Sequence, residues 1–142
     1  MKVDYNWSPE TGIATCILEY DNRKFVGTAK CHPDDLDMES ERTGLFIAEC
    51  RAFIYYKRYL RDTKYLPQYN ILKHTYQTAL QTKGCENDYH TMAVIRKQMQ
   101  IARKKLDLIK AEIAAEQAQL KFYIDQKDKL YNRIRTSQAN KQ

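Results

Sequence analysis

Two rhythms divide the chain. Up to about residue 31 apolar and polar positions alternate, and beyond residue 40 apolar positions recur every three or four. In KVDYNW, Val3, Tyr5 and Trp7 share one face. SPETG follows, with Pro second and Gly last, a type I turn pattern. IATCILEY puts Ala14, Cys16, Leu18 and Tyr20 on one face and Ile13, Thr15, Ile17 and Glu19 on the other. Asp21-Asn22 predicts a hairpin connection, although the Asn-Gly signature is missing. KFVGTAKC sets Phe25, Gly27, Ala29 and Cys31 against Val26, Thr28 and Lys30. The pattern predicts a three-strand antiparallel meander. A glycine inside a strand weakens it and marks a bulge or a close approach. At Gly27 the approach of the first helix is the preferred reading, and that of a ligand the alternative.

Residues 32–39 read as an exit loop. Pro33 keeps the residue before it extended, and Asp34, Asp35, Asp37 and Glu39 favour a helix start. Ser40 is the predicted N-cap of a first helix over about 41–63. That helix is apolar around most of its circumference, which predicts burial between the sheet and other helices. One stripe departs from this: Arg51, Tyr55, Arg58 and Asp62 share a face. Two guanidiniums flanking a tyrosine suit a phosphate and a stacked base. They equally suit ion pairs with Asp34 or Asp35. The second helix opens at Pro67 with Tyr69, Leu72, Tyr76 and Leu80 as its seam, and Gly84 ends it. Pro67 follows so soon that one long kinked helix is also compatible.

The third helix runs from near Asn87-Asp88 to about Thr136, roughly 49 residues and about 73 Å. Its seam is Met92, Ile95, Met99, Ala102, Leu106, Ile109, Ile113, then Leu120, Tyr123 or Ile124, Lys127, Leu130 and Ile134. The alternation of four and three is the coiled-coil pattern. It lapses at Glu116-Gln117, as a register-setting polar layer or a change of partner would make it do. The short link KGCEND implies an antiparallel helical hairpin. Helix two covers only the first half of helix three, so the apolar half from about Ile113 to Ile134 needs another surface. A second subunit is the simplest supplier. The predicted fold is therefore α+β: a small N-terminal antiparallel sheet, then long α-helices forming an antiparallel helical hairpin or coiled coil. The expected state is a homo-oligomer, a dimer or an assembly of dimers. Residues 1–39 form the head, 40–136 the helical body and oligomerisation region, and 137–142 a frayed tail.

Composition adds limits. Among 142 residues, 43% are hydrophobic and 30% charged, normal for a helix-rich chain with a core. Eleven tyrosines against one tryptophan suit interfaces and half-buried ligand sites. No apolar run is long enough to cross a membrane, and the start has no apolar h-region or small-residue cleavage site, so no signal peptide is expected. Cys16, Cys31, Cys50 and Cys85 show no disulfide framework, so a cytoplasmic protein is expected, in the host cell if phage-encoded. The net charge of +6 divides as −4 over residues 1–40, +4 over 41–87 and +6 over 88–142. An acidic head on a basic body attracts anionic partners or docks subunits head to body.

Chemistry-bearing motifs are few. Cys31-His32 and Cys85 with His90 lack the paired spacing of a zinc site. No nucleophile has a supporting motif, Asp34-Asp35 have no partner base, and no phosphate loop or dinucleotide fingerprint occurs. No enzyme and no cofactor are read. Basic clusters stand out instead: Arg96-Lys97, Arg103-Lys104-Lys105, and the aromatic-cation run from Tyr55 to Arg61. Such interleaving suits nucleotides or single strands. The bland reading of Arg103 to Lys105 is a solvated helix face, with Asp107 and Glu112 nearby.

The strand GTAKC at 27–31, an acidic turn, GLFIAECRA at 44–52 and a long helical remainder resemble small phage proteins. They are similar to the phage Thoeris anti-defence sponges of the first-described family. The resemblance covers residues 25–60 as motif and the remainder as architecture. It implies an N-terminal antiparallel sheet followed by long helices, in an oligomer that sequesters cyclic ADP-ribose isomers made by bacterial TIR enzymes without cleaving them. Some members also hold cyclic oligonucleotides at a separate site. It further implies a site of arginines, an aromatic and backbone groups at a subunit boundary. By their chemistry the ligand-binding candidates are Arg51, Tyr55 and Arg58, with Thr28 and Lys30 from the third strand, and Arg96 or Arg103 from a neighbouring chain.

The leading expectation is a non-catalytic anti-defence oligomer that withholds a cyclic nucleotide signal. An anti-CRISPR-like inhibitor binding nucleic acid or a nucleoprotein through its basic helices stands second, and a purely structural coiled-coil oligomer third.

Overall fold

The computed structural model describes residues 1–31, 38–81 and 89–140. The exit loop over 32–37, the Gly84 cap, Cys85 and the helix start at 87–88 lie outside the described residues.

Three strands open the chain: β1 (Lys2–Ser8), β2 (Ile13–Tyr20) and β3 (Arg23–Lys30). They form one antiparallel sheet in the order β1-β2-β3, with Tyr5 opposite Cys16 and Cys16 opposite Gly27. The first turn closes through the Gly12 amide on the Ser8 carbonyl at 2.8 Å, one residue longer than a type I turn requires. Gly12 has a φ of 70°, a region that suits glycine. The second turn holds two residues, Asp21 and Asn22, both with positive φ (52° and 59°). That is the hairpin geometry matching strand twist, reached here by the two residue types that best tolerate it after glycine.

Helix α1 (Met38–Leu60) runs into a π-helical segment, Arg61–Tyr65, and then α2 (Leu66–Gln81) with no loop between. Two expectations change. Ser40 is not the N-cap but sits buried inside α1, its carbonyl 3.5 Å from the Cys31 thiol. Pro67 does not open a separate helix; it lies in a continuous one, in line with the alternative of one long helix. Proline offers no N–H and crowds the carbonyl four residues before it. The wider turn just ahead, where the Leu66 amide bonds the Arg61 carbonyl, relieves that conflict without breaking the helix. Helix α3 (Tyr89–Asn140, 52 residues) completes the chain.

The chain divides into two compact units. Residues 1–56 with 114–142 form the first, and residues 57–113 the second. In the first, Ala14, Cys16, Leu18 and Ala29 of the sheet bury against Ile47, Ala48 and Ala52 of α1. A Cβ on Gly27 would lie 2.6 Å from the Ala52 amide nitrogen and closer still to the Ala48 carbonyl oxygen. The glycine therefore serves close helix-sheet approach, the preferred reading. Leu120, Tyr123 and Ile124 of α3 pack on the same core, and the Phe46 and Tyr123 rings stack at 5.0 Å. This corrects the inference from helix lengths: at these positions the second half of α3 finds its cover on its own sheet unit, so the mismatch alone demands no second subunit.

In the second unit Leu106, Ile109 and Ile113 are buried against Leu60, Tyr65, Leu66 and Tyr69. The seam lapse at Glu116-Gln117 falls just past the boundary at 113–114. There α3 changes partner.

Candidate functional site

The seven sequence candidates divide between the two units, with Thr28, Lys30, Arg51 and Tyr55 in the first and Arg58, Arg96 and Arg103 in the second. In the first unit, the Arg51 guanidinium donates to the Thr28 carbonyl at 2.6 Å. Lys127 of α3 donates its ammonium to the Lys30 carbonyl. Both carbonyls belong to β3, an edge strand of the sheet. Exposed edges invite pairing with other chains, and cations laid across them oppose it. Thr28 and Lys30 thus contribute backbone oxygens, and Arg51 acts as a strut from α1 to the sheet edge. Tyr55 remains 46% exposed on the same helix. Arg58 belongs to the second unit, as do Arg96 and Arg103.

The second unit brings together pairs that the sequence did not announce. Arg96 donates to the Tyr76 hydroxyl at 2.8 Å, with its guanidinium carbon 5.7 Å from the ring centroid. Arg103 repeats this on Tyr69, at 3.0 Å and 5.4 Å. The arginines are one heptad apart on α3 and the tyrosines one heptad apart on α2, in the opposite chain order. Periodicity alone shows Tyr69 and Tyr76 only as apolar seam. The matching seven-residue spacings are the signal that could have paired them with the arginines. Arg103 is also 3.6 Å from Asp107, one turn along. Each guanidinium spends one N–H on a phenol and lies within cation-π range of the ring, which leaves further donors in the fork. Tyr69, Met99, Gln100, Arg103 and Lys104 line a shallow cleft of about 310 Å³ beside the second pair.

A different cluster sits on the sheet. Burial first, and then the charge of Glu116, push the Glu49 carboxyl above its ordinary value, while the Tyr5 hydroxyl donating to it pulls the other way. Burial and the Glu49 charge push the Cys16 thiol up to about 11. Cys16 is therefore a thiol at neutral pH, not a nucleophile. Cys16, Cys31 and Cys50 are free and buried. Among the described residues no three His, Cys, Asp or Glu side chains gather as a metal site would need, and no helix is long and apolar enough to cross a membrane.

Compared with known protein families, with characterised proteins and with solved structures, the chain matches none.

Proposed function

We propose that the chain is a non-catalytic binding protein that holds a cyclic nucleotide signal through the Arg-on-Tyr pairs of its second unit. The observation that carries this is the repeat itself: Arg96 on Tyr76 and Arg103 on Tyr69, both exposed. Each pair offers a fixed guanidinium for a phosphate and a flat cation-aromatic surface on which a base can stack. The likeness to the anti-defence sponges supplies the ligand class, a cyclic ADP-ribose isomer or a cyclic oligonucleotide, and the role of withholding it from a bacterial defence.

The reversed order of the two pairs supports an antiparallel helical hairpin of coiled-coil type for α2 and α3. Val94, Ile101 and Leu108, 41%, 46% and 61% exposed at heptad spacing, support assembly with a second copy, whose approach would close the open clefts around a ligand.

The test is native mass spectrometry and calorimetry with a panel of these cyclic nucleotides. The expected result is an oligomer that gains one ligand mass and returns it unchanged on denaturation. Arg96→Glu and Arg103→Glu proteins that remain folded should each lose binding by tenfold or more, roughly the worth of a charge-assisted contact. Unchanged binding in both would defeat the site, and no binding across the panel would defeat the function.

A second reading, a single-stranded nucleic acid or a nucleoprotein, is favoured by charge. The second unit holds twelve Lys/Arg against five Asp/Glu, a formal +7. Steeply salt-dependent binding distinguishes it.

A further inference from the structure

The first unit contains a larger cleft than the one beside Tyr69, and it uses none of the residues assigned above. It measures about 450 Å³ and is lined by Arg42, Thr43, Gln126, Lys129, Leu130 and Arg133. Gln126, Lys129, Leu130 and Arg133 are spaced three, four and seven residues from the first, so they form one face of α3. Arg42 and Thr43 come from the N-terminal part of α1, where the helix's own partial charge is positive. Thr43 is only 8% exposed, so its hydroxyl is held at the wall rather than waving in solvent. Gln126 adds an amide, and half-buried Leu130 an apolar patch.

The described residues of the lining combine three cations with two neutral hydrogen-bonding side chains, and none of them is a carboxylate. This is a local concentration. The first unit as a whole holds twelve Lys/Arg against thirteen Asp/Glu. A cleft of this size lies within the range of small-ligand sites and exceeds the needs of a monatomic ion. Three guanidinium and ammonium groups overmatch the single charge of a phosphodiester. They suit a terminal phosphate, which carries nearly two charges at neutral pH, or a diphosphate. Arginine binds such oxygens as a planar fork and lysine as a point charge, so the set can grip two neighbouring phosphoryl groups.

We propose that this cleft is a separate binding site for a compact, multiply charged phosphate, a diphosphate or a phosphomonoester with a small organic part resting on Leu130. It is independent of the cyclic-nucleotide reading, since it lies in the other unit and needs neither Arg96 nor Arg103.

The full-length protein is titrated calorimetrically with pyrophosphate, adenosine monophosphate, orthophosphate and citrate. Four proteins are compared: wild type, Arg42→Gln, Lys129→Gln, and the Arg96→Glu/Arg103→Glu double variant. Lys129 and Arg42 are both exposed beside the cleft, so their neutral variants should keep the thermal unfolding midpoint of the wild type. The expected result is one pyrophosphate per chain, bound about tenfold more tightly than orthophosphate, with about tenfold loss in each neutral variant and none in the double variant. Adenosine monophosphate matching or exceeding orthophosphate would place the organic part on Leu130. Citrate binding as tightly as pyrophosphate would overturn phosphate recognition in favour of bare charge attraction. Loss in the double variant but not in Lys129→Gln would assign the binding to the α2–α3 arginines and overturn the site. Absence of millimolar pyrophosphate binding would overturn it outright.

Discussion

At residue scale, one hydrogen atom sets how near α1 comes to the sheet. Gly27 faces the backbone of Ala48 and Ala52, so a methyl there meets main chain that cannot rotate away. Gly27→Ala should cost about 3 kcal/mol of unfolding free energy, the upper end for overpacking, read from urea denaturation. A loss below about 1 kcal/mol would mean that the helix shifts freely. This requirement was legible, because a glycine amid small residues in a strand points to close approach by a neighbouring element. Glu49 was not. Its neighbour Glu116 is distant in sequence, and only the packing of α3 on the sheet unit brings the two carboxyls into range. With its folded pKa raised, Glu49 keeps its proton to higher pH in the folded chain than in the unfolded one. Its contribution to stability is thus present in acid and fades as pH rises through the ordinary carboxylate range and above it. Glu49→Gln should be indistinguishable from wild type in melting temperature near pH 4 and more stable at pH 7. A Gln carbonyl can still accept from Tyr5. Parallel pH profiles of the two proteins would contradict the shift.

At element scale, the strands and helix identities followed from periodicity, whereas the joints between helices did not. The three strands needed only alternation and turn residues, because one face of the sheet is buried. Pro67 misled because proline normally marks a helix start, and the π-helical relief at Arg61–Tyr65 has no sequence signature. On α3 the inner seam was legible through Ile113 and again at Leu120, Tyr123 and Ile124, but its outer row was not. Val94, Ile101 and Leu108 each directly precede the seam residues Ile95, Ala102 and Ile109, about 100° around the helix. They widen that seam into a broad apolar arc, of which the structure covers only the inner residues well. The Ile101→Glu/Leu108→Glu double variant should lower the mass measured by light scattering to that of one chain, with helicity unchanged by circular dichroism. A wild-type protein that is already a monomer at the same concentration would remove the case for assembly through this row.

At the scale of the whole molecule, charge is sorted by unit: a formal +7 on residues 57–113 against −1 on the remainder. Sequence thirds blurred this, because α3 contributes to both units and the division follows packing rather than chain order. The sorting sets up the decision between the two functional readings. A single strand lying along Arg96, Lys97, Arg103, Lys104 and Lys105 would neutralise about five phosphates, giving a log-log salt slope near −3.5 at roughly 0.7 per contact. Between 50 and 200 mM salt such binding falls by about a hundredfold. A cyclic nucleotide with two phosphates, held also by stacking and by enclosure between copies, releases far fewer ions and should lose less than about tenfold over that range. The leading reading therefore predicts a shallow salt dependence for the cyclic ligand beside a steep and weak one for labelled single-stranded DNA, both measured on one preparation. Submicromolar DNA binding that persists at 200 mM salt would reverse the order of the two readings. It would make the Arg-on-Tyr repeat a platform for a strand instead of a signal.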